Sequence, residues 1–289
     1  MKSGRSLSER YRRYWYKFRR NKLSVVGLAA IIGVIFVATF APWLAPYPAS
    51  AGLYVNFANA GTPPSSAHVF GTDEIGRDIV SRIVFGFRYS LMLMGVVLSI
   101  SVAPGVILGL VAGYYIGRWL STVIMRLADI FVAVPPLLLA LSVASVLTPS
   151  AVNAMLAVSL AWWPWYTRLV YSSASSIRNE DFVRAAELVG ASRWHIMFNE
   201  ILPNALGSIL TKVTLDCGWV ILIGASLSYV GLGAQPPTPD LGTMIAEGST
   251  YLPGEWWISI FPALAIVIVI LGFNLLGDGV NDMFSAGAT

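Results

Sequence analysis

The side chains able to do chemistry are few and scattered. Lys212 and Asp216 lie four residues apart inside an apolar run, a spacing that places both on one helix face where they can pair. A carboxylate in such a setting marks an ion path or a polar contact between subunits. The two histidines, His68 and His195, are far apart in sequence, and no Cys, His, Asp or Glu cluster has metal-ligand spacing. The single cysteine, Cys217, can form no intrachain disulfide and reads as a small buried hydrophobe. No G-x-x-x-x-G-K-[ST] loop is present to cradle a nucleotide. Neither a catalytic constellation nor a bound cofactor is expected; if the protein works with ATP, another chain must bind the nucleotide.

The densest polar stretch is VRAAELVGASRWHIMFNEILPN, Val183 to Asn204. Asn179 is placed to cap a helix opening with Glu180 and Asp181, where acids suit the helix dipole. Phe182, Ala185, Ala186 and Val189 form its expected apolar face, with Arg184 and Glu187 off it. Gly190 suits the left-handed position that ends a helix. Ser192 can cap a second short helix from Arg193 to about Glu200, and Leu202-Pro203 precedes the next apolar run. Two short helices around a glycine turn make a rigid peg, which a loose connection would not need.

The elements around this peg are membrane spans. Of the 289 residues, 56% are hydrophobic and only 12% charged, about half the charge of a soluble domain. Apolar runs long enough to cross a bilayer are placed at Leu23–Leu44, Ser90–Ile116, Met125–Leu147, Ala151–Tyr171, Gly207–Val230 and Trp257–Gly277. The expected fold is therefore an all-α membrane protein with six transmembrane helices and both termini cytoplasmic. Nine Lys/Arg precede Leu23, interleaved with Tyr11, Tyr14, Trp15, Tyr16 and Phe18. Residues 1–22 read as a basic helix on the cytoplasmic lipid surface rather than a nucleic-acid site. With that end inside, fifteen cytoplasmic Lys/Arg stand against three outside, as the positive-inside rule requires.

The organisation is then a first span at 23–44, an external loop at 45–87, and a transmembrane domain at 88–284 carrying the cytoplasmic insert at 172–206. In the external loop, Ile75, Ile79, Ile83 and Phe87 recur every four residues. This spacing predicts an amphipathic helix on the membrane surface, with Asp73/Arg77 and Asp78/Arg82 as pairs on its polar side. Prolines interrupt four spans (Pro104, Pro135-Pro136, Pro164, Pro262), and Gly95, Gly105, Gly109 and Gly113 punctuate the second. Such breaks suit a moving or cavity-lining bundle.

The spacing Ala185-Ala186, Gly190 and Leu202-Pro203 resembles the EAA loop of permease subunits in binding-protein-dependent ABC importers. Arg184 stands where that family usually has Glu, and Glu200 where Ile is common; the RAA variant is usual in the dipeptide/oligopeptide/nickel branch. FGTDEIGRDIVSRIVFGFRYSL and the stretch from Tyr229 to Asp282 are similar to the same branch, and the N-terminal region to its C-type permease. The resemblance implies a type I importer permease fold and an assembly in a prokaryotic plasma membrane. Its other members would be a homologous second permease, two cytoplasmic ATPases holding ATP and Mg, and an external substrate-binding protein. It further implies that Ala185, Ala186 and Gly190 dock on an ATPase, that Arg184 and Glu187 contact its rim, and that Leu202 and Pro203 set the angle into the fifth span. Peptides are the cargo expected from the branch, with oligosaccharides or nickel as alternatives. An ion-coupled transporter using Asp216, or a membrane scaffold recruiting a cytoplasmic protein, is the competing class of reading.

Overall fold

The computed structural model describes residues 7–284; residues 1–6, with the first part of the basic segment, lie outside it, as do 285–289. Among the described residues the chain is helical, with no strand beyond one isolated bridge, Thr72 to Asp78. The helices are α1 (Leu7–Arg20), α2 (Lys22–Thr39), α3 (Ala41–Leu44), α4 (Ile79–Tyr114), α5 (Trp119–Val132), α6 (Pro136–Val146), α7 (Ala151–Ile177), α8 (Asp181–Leu188), α9 (Arg193–His195), α10 (Leu202–Tyr229), α11 (Leu241–Ser249) and α12 (Trp257–Phe284). By length and composition α2, α4, the continuous run Arg193–Tyr229 and α12 can each cross a membrane. Joined as one broken span, α5 and α6 add a fifth, bent by 85°. The helix α7, 27 residues long and dense in Trp, Tyr and Ser, is not among them. The chain is a multi-pass membrane protein.

The core is built on α4 and α7. Three glycines of α4 lie against α7 so closely that a Cβ would meet Tyr166 Cβ (from Gly105), Thr167 O (from Gly109) or Ala174 Cβ (from Gly113), each at 2.6 Å. Small residues are how membrane helices gain this approach. Gly95, by contrast, has nothing within 4 Å. The buried residues Leu93, Val97, Trp162, Tyr166, Val220 and Leu227 join α4, α7 and α10 in one cluster, with Ile31 of α2 and Phe273 of α12 at its margin. Pairing α2 with α12 uses the same device, Gly27 under Leu275 and Gly272 under Ile31. At the α1 end, Phe18 is buried beneath Gly279 of α12, and Asn21 Nδ2 donates to Asp282 Oδ2 at 3.3 Å.

The opposite end of the bundle corrects the expected surface helix. Helix α4 begins at Ile79 and runs 36 residues to Tyr114, so the expected span Ser90–Ile116 is its later part with two residues of the following turn. Residues 71–78 instead form a tight buried turn, because Gly76 (φ +81°) is left-handed and its missing Cβ leaves room for the Asn56 carbonyl. Asp73 does pair with Arg77 (2.6 Å), but Arg82 also binds Asp73 (2.5 Å) rather than Asp78. Asp78 is committed elsewhere as the cap of α4, accepting from Ser81 N at 2.8 Å and Oγ at 2.7 Å and facing His68 Nδ1 at 3.0 Å. Glu247 of α11 closes the network at 3.5 Å from Arg82 and 3.7 Å from Arg77. All of Asp73, Arg77, Asp78 and Arg82 are buried. The ladder of isoleucines straddles a loop and a helix start, so its four-residue spacing does not mark a single element.

Nearby, Asp240 caps α11 by accepting from Gly242 N at 2.9 Å. Burial penalises its ionised form and pushes its carboxyl up to about 6. A raised carboxyl favours the fold most at low pH, and that contribution is lost as pH rises from the ordinary carboxylate range through about 6. Thermal melting across that window will therefore show an Asp240→Asn variant losing less stability with rising pH than the parent. Replacing Gly109 by Val will lower stability by about 1–3 kcal/mol through overpacking, whereas Gly95→Ala, with open space for its Cβ, will hold or raise the melting temperature.

Candidate functional site

The polar insert folds into a small rigid body beneath α4 and α7. Glu180, not Asn179, occupies the cap position of α8; Asn179 Nδ2 instead donates back to Ser175 O at 3.0 Å. The inward face also differs from the expected one. Val183 is fully buried, with Ala186 partly so, against Leu110, Tyr114, Val170, Ala174, Ile196, Met197 and Ile201. Phe182 and Ala185 face out. An eight-residue helix with two apolar stripes sharing Ala186 is ambiguous at a 3.6-residue period; Val183 fills the gap between the helix ends, and that decides it.

Expected docking residues lie at the free surface. Arg184, Ala185 and Glu187 are exposed, and Gly190 is exposed in the left-handed conformation (φ +81°). The turn is closed by Gly190 N to Glu187 O (3.1 Å) and Ala191 N to Ala186 O (3.0 Å), bonds of the kind that end a helix at a glycine. Just before it, Leu188 and Val189 are 88% and 84% exposed. Trp194, stacked on Phe198 at 5.8 Å, adds a further exposed apolar group. Leu188 and Trp194 escaped the sequence reading, although a glycine stop leaves its two preceding residues at a tip. Aromatic side chains brace the body from above. Tyr114 OH donates to Glu187 Oε1 at 3.4 Å, the Arg178 guanidinium lies 5.2 Å from the Tyr114 ring, and that of Arg193 lies 5.8 Å from the Tyr115 ring.

Beyond the turn, Ser192 Oγ accepts from His195 N at 3.2 Å, as its capping role requires. The second helix does not stop before Pro203, however. Helicity runs unbroken from Arg193 to Tyr229, with one wide π turn at Ile196–Ile201 directly ahead of Leu202-Pro203. Proline lacks an N–H and crowds the carbonyl one turn back; a π turn absorbs that inside a continuous helix. Leu202 is half-buried and Pro203 exposed.

Lys212 and Asp216 pair as their spacing implies, Nζ to Oδ1 at 2.6 Å. Asp216 is buried, while Lys212 stays partly exposed with its ammonium about 6 Å from the Trp165 and Tyr166 rings. The Lys212 ammonium turns to the carboxylate rather than toward the helix end. A second pair, Asp129 of α5 with Arg168 of α7, is brought together across 39 residues of sequence and has no local signal. The aromatic neighbours of Lys212 are Trp165 and Tyr166 of α7, whereas α8 is braced by Tyr114 of α4.

Residues 105–289 match the family described as the binding-protein-dependent transport system inner membrane component. The chain belongs to this permease family. Residues 10–64 match the N-terminal transmembrane domain of oligopeptide transport permease C. The permease is 40% identical over 272 residues to the dipeptide transport system permease protein DppC of Alkalihalophilus pseudofirmus, covering 94% of this chain and 88% of that one. It is 41% identical over 277 residues to DppC of Escherichia coli (93% and 90%). A third relative, the glutathione transport system permease protein GsiD of Escherichia coli, is 40% identical over 269 residues (93% and 88%).

Two valines in α8 and its tip separate packing from surface. Val183→Asp will bury an unpaired carboxylate and cost several kcal/mol, seen as loss of folded protein in detergent. Val189→Asp will change stability by less than about 0.5 kcal/mol.

Proposed function

We propose that this permease is one half of a heteromeric membrane channel in an ATP-driven importer of short peptides. Its α8 body is the coupling element that seats in a cytoplasmic ATPase. The observation that carries the reading is the exposed apolar tip Leu188-Val189-Gly190 on a body braced by Val183 and the α4 tyrosines. Apolar groups gathered at a tip, with Trp194 and Phe198 beside them, suit a surface that another protein covers. Arg184 and Glu187 are the polar contacts at its edge. Leu202 and Pro203, inside the continuous helix, set its direction. In this reading α2, α4, α5 with α6, α7, α10 and α12 are six crossings. Both termini are then cytoplasmic, in the plasma membrane of a prokaryote, with the basic α1 on the lipid surface. A homologous permease, two ATPases holding ATP and Mg, and an external binding protein complete the assembly; this chain itself does no chemistry. The peptide cargo follows from relatives named as dipeptide permeases over nearly the full chain.

The test is ATP-dependent uptake of a labelled dipeptide by the complete complex in proteoliposomes. Val189→Asp and Gly190→Val are each expected to lower uptake at least tenfold while the permease remains folded in the membrane. Unchanged uptake by both would overturn the coupling role. Competition by a sugar oligomer or a nickel chelate, but not by dipeptides, would leave the mechanism standing and replace the cargo.

A further inference from the structure

The pair Asp129–Arg168 lies well up the bundle from the α8 end. Arg168 precedes Arg178, which sits at the loop end against Tyr114, by ten residues, or about 15 Å of helix. Both partners are substantially exposed, 39% for the Asp129 side chain and 49% for that of Arg168. Charged groups at this depth do not face lipid; they face protein or water. The backbone beside them makes the same demand. Helix α5 breaks one turn after Asp129, and Ala133, Val134 and Pro135 at the 85° bend are all exposed. A broken helix at membrane depth is tolerated only where protein or a wet cavity satisfies it.

Helical spacing fixes what lies next to the pair. Trp165, Arg168, Ser172 and Ser176 recur at three- and four-residue steps, one stripe of α7; Arg168, Ser172 and Ser176 are exposed and Trp165 half-buried. One edge of this stripe meets α5 through Asp129–Arg168. The other meets α10 through Ser173–Ser208 (3.5 Å) and Lys212 over Trp165. The stripe is thus the floor of a groove walled by α5 and α10, with hydroxyls and paired charges in an otherwise apolar chain. Resting on the importer reading above, we infer that this groove is the water-lined inner half of the cargo path. The zwitterionic ends of a short peptide would pass the Asp129–Arg168 pair, where each end finds an opposite charge.

Cysteine accessibility tests this in the assembled complex. Ser172→Cys and Ser176→Cys are introduced with Cys217→Ser, and Ile32→Cys and Val267→Cys serve as lipid-facing comparisons. Inverted membrane vesicles are treated with a membrane-impermeant, charged methanethiosulfonate. The floor positions are expected to react at least tenfold faster than the comparisons, and the adduct to cut dipeptide transport at least tenfold. Slow reaction at both serine positions would mean that the partner permease or lipid covers the groove, and would overturn the inference. Fast reaction with undiminished transport would overturn it too, since water would then enter where cargo does not. Failure of the importer reading has a separate signature: no dipeptide transport before labelling, with fast reaction retained.

Discussion

Close approach of α4 to α7 is the constraint on which everything else hangs. With glycines at 105, 109 and 113, the backbones of these helices are nearly in contact over three successive turns. In a membrane no hydrophobic force drives helix against helix, so such packing is what holds the bundle. It fixes the position of Tyr114 relative to the end of α7, and thereby the socket into which Val183 inserts. It also fixes which stripe of α7 is left for α5 and α10 to flank.

The two ends of the bundle solve opposite problems with the same residue types. At the capped end, Asp73, Arg77, Arg82 and Glu247 are drawn into a buried network that ties the loop to α4 and α11. Burying charges is costly unless each is paired with good geometry, and here one carboxylate serves two guanidiniums. At the loop end, arginines lie over tyrosine rings, and Leu188 and Val189 are presented outward. One end draws its charges inward; the other presents apolar groups outward.

How much of this was legible in the sequence depended on how local each cause was. The glycine turn at 190, the Ser192 cap and the Lys212–Asp216 pair all depend on neighbours within four residues, and each is in place. The isoleucine spacing from Ile75 misled because a left-handed Gly76 and an incoming Asn56 carbonyl, 20 residues away in sequence, prevent the helix it implies. Which stripe of α8 faces inward could not be read either, since the hole Val183 fills is built by α4, α7 and the π turn together. The Asp129–Arg168 contact joins helices whose mutual placement no spacing rule records. The apolar run placed at Ala151–Tyr171 lies within α7, which is continuous to Ile177 and carries enough Trp, Tyr and Ser to be the least apolar of the long helices.

The unbroken helix from Arg193 to Tyr229 has a mechanical consequence. Its 37 residues make a bar about 55 Å long, with one end beside the exposed tip and the other beside the buried cap of α11. Beyond the π turn the 28 residues of α10 span about 42 Å, so a tilt of about 5° there displaces the far end by about 4 Å. Any slack must be taken up at the π turn, the one place where the ladder of backbone bonds is irregular. One irregular joint beside the exposed tip, with 28 residues of regular helix beyond it, is the build of a lever rather than a spring.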